Sequence, residues 1–427
     1  MVKRNSFFVV FFIFSIQISA VSPLGLFVPY DLNNRGERQH KDGVFQGSFF
    51  VEKGYKVKGF DVKGSDKNVL QVFDEKQNVT ALYVSGTSLT VPLSTSVTTA
   101  LVGGLDTKNG NFSVSGNYSA AQCAFGGSYS FGRGFIARVY APVYSVSLSQ
   151  VEWKYAGDRT SFVGATMAEL LKDFEQEAKT LFDLNVNGWN QAGIGDLAFI
   201  LDWERDFVQH KDLLRNVRPT LRIGVTLPTG APQNTMEFGS VPLGADGSVT
   251  IPFGGGMRAD LGSHAQIGFN AQFWYIWGKT KLRRIKTSFY QTELLLPTVT
   301  NTAKQFGMIQ NFSMHGTLLS WCRCFSLQGF YEYVRKGEDI LTPVDTKYGY
   351  DVINDHREDA ATGLEKGQKS LDESTCHSFT LKLSYDHHYA ESQRKITPQA
   401  SLFWKTSFYG SYTSVASSVG AQLAIDF

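Results

Sequence analysis

An alternation of apolar and polar residues, repeated from about Val44 to the C-terminus, is the feature that most constrains this chain. It is clearest in GIGDLAFILDWERDF, where Leu197, Phe199 and Leu201 occupy one side and acidic residues the other. Segments of about ten such residues are separated by turns. A period of two is typical of half-buried antiparallel strands. The sequence therefore predicts an all-β fold.

The lengths of the connections indicate an antiparallel transmembrane β-barrel. Long connections alternate with short ones, as in barrels that have short turns at one end and long extracellular loops at the other. The short turns lie near Gly132, Gln209, Ser263, Arg323 and His388, and the long loops around 58–109, 152–190, 228–252, 279–306 and 335–375. Aromatic residues such as Trp153 and Trp277 cluster beside the long loops, as expected at a membrane–water boundary.

The same pattern predicts about twelve strands, within a range of ten to fourteen. An even number with both termini in the periplasm is the rule for bacterial barrels of this kind. The predicted strands are 44–57, 118–131, 135–150, 192–207, 217–227, 253–262, 265–277, 308–320, 324–334, 376–386, 396–408 and 414–427. One helix is predicted within 164–185, in a long loop; it either folds over the barrel mouth or into the lumen, or packs on neighbouring loops.

The N-terminus has the layout of a secretory signal peptide. Lys3 and Arg4 precede an apolar run, Phe7 to Phe14, and small residues follow up to Ala20. A membrane anchor is the alternative, but the run is shorter than the roughly 20 residues of a spanning helix. The sequence thus predicts a signal peptide (1–20), a periplasmic N-terminal segment (21–43) and a barrel (44–427).

The C-terminus, VGAQLAIDF, continues the alternation to the last residue. A closed barrel has no free edge, so its last strand must pair with its first. The stretch resembles the C-terminal strand of bacterial outer-membrane proteins, which implies an assembly signal at Val419, Ala421, Leu423, Ile425 and Phe427. The resemblance implies a bacterial outer-membrane location, with outer-membrane lipids, the barrel-assembly machinery and periplasmic chaperones as partners.

A second resemblance covers Gly193 to Gly230. GIGD leads one strand and PTG ends the next, which is similar to the paired motif of a porin-like barrel family of outer-membrane transporters, the phenol-degradation (MetA-pathway) type. The resemblance implies a transporter barrel and a link to aromatic compounds.

The inward faces of the predicted strands carry isolated charges, each of which would cost about 2–4 kcal/mol if it faced lipid near the midplane. The predicted lumen-lining residues are Asp196, Asp202, Glu204, Asp206, Arg138, Arg218, Arg222, Arg258, Asp260, Glu332, Lys382 and Lys405. If Phe207 pairs with Val217, Asp206 meets Arg218 and Asp202 meets Arg222. Such a ladder of opposite charges stabilises neighbouring strands.

Several other functions lack support in the sequence. The net charge of +2 gives no indication of a nucleic-acid partner. GRGFIA and GIGDLA match a dinucleotide fingerprint but precede strands instead of helices, so no cofactor is predicted. His210, His264 and the DHHY stretch at 386–389 lie in separate turns, so no metal site is predicted. The four cysteines are interpreted as packing residues, with a Cys123–Cys376 or Cys322–Cys324 bridge as the alternative.

These observations predict a passive outer-membrane channel for small solutes, hydrophobic or aromatic ones among them, and no enzyme. Twelve strands lie between the filled eight-stranded and the open sixteen-stranded barrels. We therefore expect a narrow or loop-constricted pore of mixed charge. The alternatives are an outer-membrane barrel enzyme, specifically a hydrolase, and a structural or adhesive barrel that acts through its surface loops. The oligomeric state is left open.

Overall fold

A computed structural model describes residues 43–84, 111–156, 174–320, 324–355, 367–386 and 396–427. The predicted signal peptide, almost all of the predicted N-terminal segment, and the turns at Arg323 and His388 lie outside these residues. The strands are β1 (Phe45–Phe60), β2 (Asp66–Lys67), β3 (Gln77–Asn78), β4 (Asn111–Gly132), β5 (Phe135–Tyr155), β6 (Trp189–Ile194), β7 (Leu197–Glu204), β8 (Phe207–Val208), β9 (Leu214–Leu227), β10 (Thr250–Leu261), β11 (Ala265–Ile276), β12 (Lys279–Ile285), β13 (Thr298–Gln305), β14 (Ile309–Leu319), β15 (Phe325–Lys336), β16 (Ile340–Pro343), β17 (Ser374–Asp386), β18 (Thr397–Ser411) and β19 (Thr413–Asp426).

Helical structure is sparse. The helical segments are Val79–Val84, 174–182 and Tyr350–Asn354, with single 3-10 turns at Val69–Gln71 and Lys369–Leu371. In the described part of the chain, no helix has the length and hydrophobicity needed to cross a bilayer.

Twelve antiparallel strands form a closed barrel, as predicted. Around the wall the order is β1, β4, β5, β6 with β7, β9, β10, β11, β14, β15, β17, β18 and β19, which returns to β1. The strands β6 and β7 both pair with β5 and count as one wall strand, interrupted at Gly195 and Asp196. The last strand pairs with the first, and the Phe427 amide donates to the Phe45 carbonyl oxygen at 2.8 Å.

The wall has an apolar outer face and a polar inner face. Leu221 and Ile223 are 60% and 56% exposed, whereas Asp202 on the neighbouring strand is fully buried. A soluble protein buries its apolar side chains, and this barrel exposes them around its circumference. The arrangement is that of a transmembrane barrel, whose outer face contacts lipid.

Short turns close one end of the barrel, called here the turn end. Between β4 and β5, Arg133 and Gly134 both have positive φ angles, 56° and 87°. A Cβ atom at Gly134 would lie 1.9 Å from the Glu204 carbonyl oxygen, so this turn requires glycine. The opposite end, the loop end, carries the long connections, except that Tyr412 alone joins β18 to β19.

The long loops fold against one another and against the inner face of the wall. Strands β12, β13 and β16 form a separate three-stranded sheet there. A core joins the wall residues Tyr144 and Leu148 to Phe238 and Leu243 of a loop. The predicted helix is present over 174–182, and it packs into this core, where the Phe174 ring lies 5.1 Å from that of Trp153.

Candidate functional site: the barrel interior

A cavity of about 240 Å³, the turn-end cavity, occupies the barrel near its short turns. Six of the twelve predicted lumen residues line it: Arg138, Glu204, Arg218, Arg222, Arg258 and Lys382. Five of these six side chains are cationic. The amides Gln266, Gln328, Gln399 and Gln422 are among the polar neighbours. The cavity is therefore suited to water and polar solutes.

The predicted ladder of opposite charges is present. Phe207 pairs with Val217, and Asp202 pairs with Arg222. The Arg222 Nε atom donates to Asp202 Oδ1 at 2.6 Å, and Arg138 Nε donates to Oδ2 of the same carboxylate at 2.8 Å. The sequence did not reveal this second arginine, because the interruption between β6 and β7 hides the register of β7 on β5.

The lower part of the ladder lies at the turn end. Arg218 Nε donates to Asp206 Oδ1 at 2.7 Å, and the Asp206 side chain is 46% exposed. Asp260 accepts from Gln266 at 2.9 Å. Asp206 and Asp260 do not line the cavity themselves. They hold two residues that do, Arg218 and Gln266.

A second group of hydrogen-bonded polar side chains lies deeper in the barrel. Lys405 Nζ bonds Glu332 Oε2 at 3.0 Å, and Asn311 and Ser378 also donate to the Glu332 carboxylate, at 2.7 and 3.2 Å. On the other side of β18 and β19, the Glu52 carboxylate accepts from Gln122 and from Ser418, both at 2.6 Å. We call these seven side chains the polar belt: Glu52, Gln122, Asn311, Glu332, Ser378, Lys405 and Ser418.

Glu52 was not predicted as an interior residue. The first strand reads VEKGYKVKG from Val51, with charged residues on both of its faces. Alternation alone therefore does not identify its inner face, which is fixed by pairing with β4 and β19.

A larger cavity of about 300 Å³, the loop-end cavity, lies between the loops and the upper wall. Its lining combines apolar residues with charged ones, notably Arg283, Lys304, Lys336 and Asp339. Lys304 Nζ and Lys336 Nζ both contact Asp339 Oδ2 at 2.7 Å. Further apolar lining comes from Leu70, Phe238, Leu294, Leu296, Leu341 and Leu371.

Along the barrel axis, the polar belt lies between the two cavities. Along β15, Phe330 lines the turn-end cavity and Lys336 the loop-end cavity, with Glu332 between them. The same order holds on β17, with Ser378 between Lys382 and Ser374. Among the residues that the structure describes, none lines both cavities. A solute crossing the barrel would therefore have to pass the belt.

Asp196 lines neither cavity, and the same is true of Asp202, Asp206, Asp260, Glu332 and Lys405. The Asp196 carboxylate accepts the backbone amides of Gly230 at 2.9 Å and of Ala245 at 2.6 Å. The Thr229 hydroxyl donates to the Gly195 carbonyl at 2.7 Å and accepts the Leu197 amide at 3.0 Å. The GIGD and PTG motifs therefore bind each other and hold the loop 228–246, and the assignment of Asp196 to the lumen lining stays a prediction.

The predicted assembly signal lies on the outer face of β19. Val419, Leu423, Ile425 and Phe427 are all exposed there, and the Phe427 ring lies 6.2 Å from that of Phe45 across the closing seam. Ala421, the remaining residue of the predicted signal, is partly buried on the same strand. Recognition by an assembly machinery stays a prediction.

The cysteines differ from the sequence interpretation. Cys324 is disulfide-bonded, whereas the Cys123 and Cys376 thiols are not joined in a disulfide. The interpretation as packing residues is therefore wrong for Cys324, and so is the Cys123–Cys376 alternative. Cys322, the other member of the Cys322–Cys324 alternative, lies outside the described residues.

Two of the predicted turn histidines, His210 and His264, belong to the described residues and lie at the surface. His210 is exposed, and His264 is an exposed residue that bonds the Ser263 hydroxyl. The histidines of the DHHY stretch lie outside the described residues. In the described ranges, no three or more His, Cys, Asp or Glu side chains are grouped so as to hold a metal ion.

Fold and interior together define a transmembrane β-barrel with two internal cavities. No family model matches the chain, and no curated protein matches it. The resemblance of Gly193–Gly230 to the porin-like transporter family therefore stays a prediction.

Three solved structures resemble the barrel. An outer membrane channel from Pseudomonas putida F1 is 9% identical, with a TM-score of 0.47, over 91% of this chain and 97% of that chain. The CymD monoaromatic hydrocarbon channel is 7% identical, with a TM-score of 0.29, over 91% and 89%. The toluene transporter TbuX of Ralstonia pickettii is 11% identical, with a TM-score of 0.29, over 91% and 90%. All three scores are below 0.5, so the assignment to a class rests on the closed barrel itself.

Proposed function

We propose that this protein is a bacterial outer-membrane channel, and not an enzyme, through which small solutes pass by diffusion. The observation that carries the proposal is the succession of two cavities along one barrel axis, separated by the polar belt. The loop end faces outward and the turn end faces the periplasm, in keeping with the general arrangement of such barrels. The apolar outer face contacts the outer-membrane lipids.

The chemistry of the two cavities supports passage of solutes that combine an apolar body with a polar group. The loop-end cavity offers leucine and phenylalanine side chains such as Leu294 and Phe238, so hydrophobic or aromatic solutes are candidates. The turn-end cavity is polar and largely cationic. A solute would exchange apolar contacts for hydrogen bonds as it crosses the belt, and no energy source is needed for such passage.

The polar belt is the proposed constriction. Glu332 and Lys405 contribute opposite charges to it, and both side chains are mostly buried. Glu332 and Lys405 compensate each other, and the second carboxylate of the belt, Glu52, leaves one formal negative charge, so we expect weak ion selectivity that favours cations. Removing one charge leaves the other to act on passing ions through a low-dielectric interior, where its effect is stronger than in bulk water.

Two substitutions at this pair test the proposal. Lys405→Gln should shift the reversal potential in a KCl gradient toward cation selectivity, because Glu332 then lacks its cationic partner. Glu332→Gln should shift it toward anion selectivity, and each variant serves as the matched control of the other. Measurements are made on purified barrels in planar bilayers. Channels that conduct while both variants keep the wild-type reversal potential would remove the belt from the conduction path and overturn the proposal.

A further inference from the structure

The ladder of hydrogen bonds between β1 and β4 stops before the two strands end. It runs from the turn end up to the pair of Lys53 and Ala121. Beyond this pair the described residues of β1 and β4 do not pair with each other, although β1 continues to Phe60 and β4 begins as far back as Asn111. Backbone groups left without a neighbouring strand must find other partners. Another part of the chain therefore has to fill this gap.

The gap is filled by residues 66–72, called here the strap, which contain β2 and a 3-10 turn. On the β4 side, two side chains replace the missing strand. Asn68 Nδ2 donates to the Gly116 carbonyl oxygen at 3.1 Å, and Asn68 Oδ1 accepts the Gly116 amide at 3.3 Å. Gln71 Nε2 donates to the Val114 carbonyl oxygen at 2.9 Å. Three hydrogen bonds from two side chains thus join the strap to β4.

The inner side of the strap belongs to the loop-end cavity. Val69 and Leu70 line this cavity, together with Tyr118 of β4. Leu70 is 5% exposed, and a Cβ atom at Gly116 would lie 3.0 Å from the Leu70 Cδ1 atom. The strap therefore packs closely on β4 and separates the cavity from the outside of the barrel.

The outer side of the barrel at this place faces water instead of lipid. Above Ala121, the outward positions of β4 are occupied by Ser119, Asn117 and Ser115, whereas an outward position below it is occupied by Phe125. Lipid-facing positions of a transmembrane barrel are apolar. The polar positions therefore lie beyond the membrane boundary, and the gap adjoins the aqueous phase at the loop end.

The loops that enclose the cavity are held more firmly than the strap is held on β4. The Arg284 guanidinium donates to five backbone carbonyl groups from three loops. Asp246 pairs with both Lys281 and Arg283. Hydrogen bonds of charged groups are stronger than those of neutral groups. The three bonds between the strap and β4 are all neutral, so this junction is easier to open than the loop contacts.

We propose that the strap is a side entrance to the loop-end cavity, which detaches from β4 and admits solutes from the aqueous phase at the loop end. The strap remains attached to β1, because β2 pairs with that strand and Lys58 Nζ bonds Asp66 Oδ1 at 2.7 Å. The use of this entrance by permeating solutes rests on the proposed channel function. Detachment itself does not.

Hydrogen exchange of the full-length barrel in detergent, corrected for intrinsic rates, tests the detachment. In the wild type, the Gly116 amide should exchange faster than that of Ala124, which pairs with β1 and β5 on its two sides. Gln71→Ala should accelerate exchange at Gly116 by about three- to tenfold, as expected for loss of one neutral hydrogen bond. Gln71 does not bond Gly116, so this effect requires that the strap detaches as a unit.

Gln209→Ala is the matched control for the exchange experiment. Gln209 also donates to a backbone carbonyl, that of Phe207, but it lies at the turn end. This variant should leave exchange at Gly116 unchanged.

Bulky labels test the entrance in planar bilayers. Ser115→Cys coupled to a maleimide-linked polyethylene glycol should lower the conductance, because the label lies beside the gap. Ser147→Cys with the same label is the matched control, since Ser147 lies on the outer face of β5 and pairs with Ser119 and Asn190 on its two sides. Both variants are made with Cys123→Ser and Cys376→Ser, so that only the new thiol reacts.

Three results would contradict the proposal: exchange at Gly116 no faster than at Ala124, unchanged exchange at Gly116 in folded Gln71→Ala, or equal conductance with the two labels. If Gln71→Ala does not fold, the wild-type exchange rates and the labels decide. Fast exchange at Gly116 in a barrel that carries no current would support detachment and refute the channel.

Discussion

At the scale of single residues, Asp202 shows how the barrel interior depends on compensated charge. The side chain is fully buried, and two arginines from the neighbouring strands, Arg138 and Arg222, bond its two oxygens. Removing one partner of a buried ion pair leaves a charge in a low-dielectric environment, which costs about 3–5 kcal/mol. The carboxylate therefore stabilises the wall by neutralising two cations that face the turn-end cavity.

Asp202→Asn should lower the free energy of unfolding by about 3–5 kcal/mol, because both arginines lose their counterion. Asp206→Asn is the matched control: the Asp206 side chain is 46% exposed, and ion pairs with a solvent-exposed partner contribute only about 0–1 kcal/mol. Guanidinium unfolding in detergent micelles measures both. Similar small losses for the two variants would show that Asp202 is not the electrostatic centre of this part of the wall.

At the scale of elements, the sequence predicts the wall well and the interior only in part. Alternation and turn spacing predict all twelve wall strands, because the outer face must be apolar along its whole length and the turns must be short. The register between β7 and β9 follows once Phe207 is paired with Val217. That register correctly predicts the ion pairs Asp206–Arg218 and Asp202–Arg222. Pairing between strands distant in the sequence is not set by a turn, so Glu52 and the second partner of Asp202 could not be predicted.

The loops are the least predictable elements, since they are held by specific contacts. Asp196 holds the loop 228–246, and Glu293 joins two others: its carboxylate accepts the amides of Lys369 at 2.6 Å and Ser370 at 3.2 Å, and its own amide donates to Asp74 at 2.9 Å. No periodic pattern encodes such contacts. For the Asp196 contact, the signal in the sequence is a carboxylate next to two glycines, as in GIGD.

Glu293 makes this loop attachment sensitive to pH. Burial, and next the negative charge of Asp74, raise the pKa of Glu293 to about 7 from an ordinary value of 4.5, against the opposing effect of Lys286. The folded loops thus hold a proton that the detached loops release. The contribution of Glu293 to the attachment of the loops is therefore largest below about pH 4.5. It decreases as the pH rises toward 7 and is constant above that pH.

Hydrogen exchange at the Lys369 and Ser370 amides, corrected for intrinsic rates, should show lower protection at pH 8 than at pH 5. Glu293→Gln should remove most of this difference, because the amide side chain does not titrate in this range. Glu237→Gln is the control, because Glu237 lines the loop-end cavity together with Glu293. This variant should retain the difference in protection between pH 5 and pH 8. Unchanged protection across this range in the wild type would show that Glu293 does not control the attachment.

At the scale of the whole molecule, the barrel is a lipid-facing shell around two cavities of different chemistry. The loop-end cavity is partly apolar, the turn-end cavity is polar and cationic, and the polar belt lies between them. Loops that pack into the upper barrel narrow the lumen from one side, as expected for a loop-constricted pore. Twelve strands are too few for a wide aqueous channel, so small conductance is the expected consequence.

The single-channel conductance of the folded wild-type barrel in a planar bilayer tests this account most directly. The heat-modifiable barrel, shown by protease protection to be inserted in the same lipid, should produce small, discrete and reversible current steps in symmetric KCl. Steps of this kind require a continuous aqueous path past Glu332 and Lys405. An inserted, folded barrel that carries no current above the bare bilayer would contradict the account, because the two cavities would then be separate chambers of a closed structure.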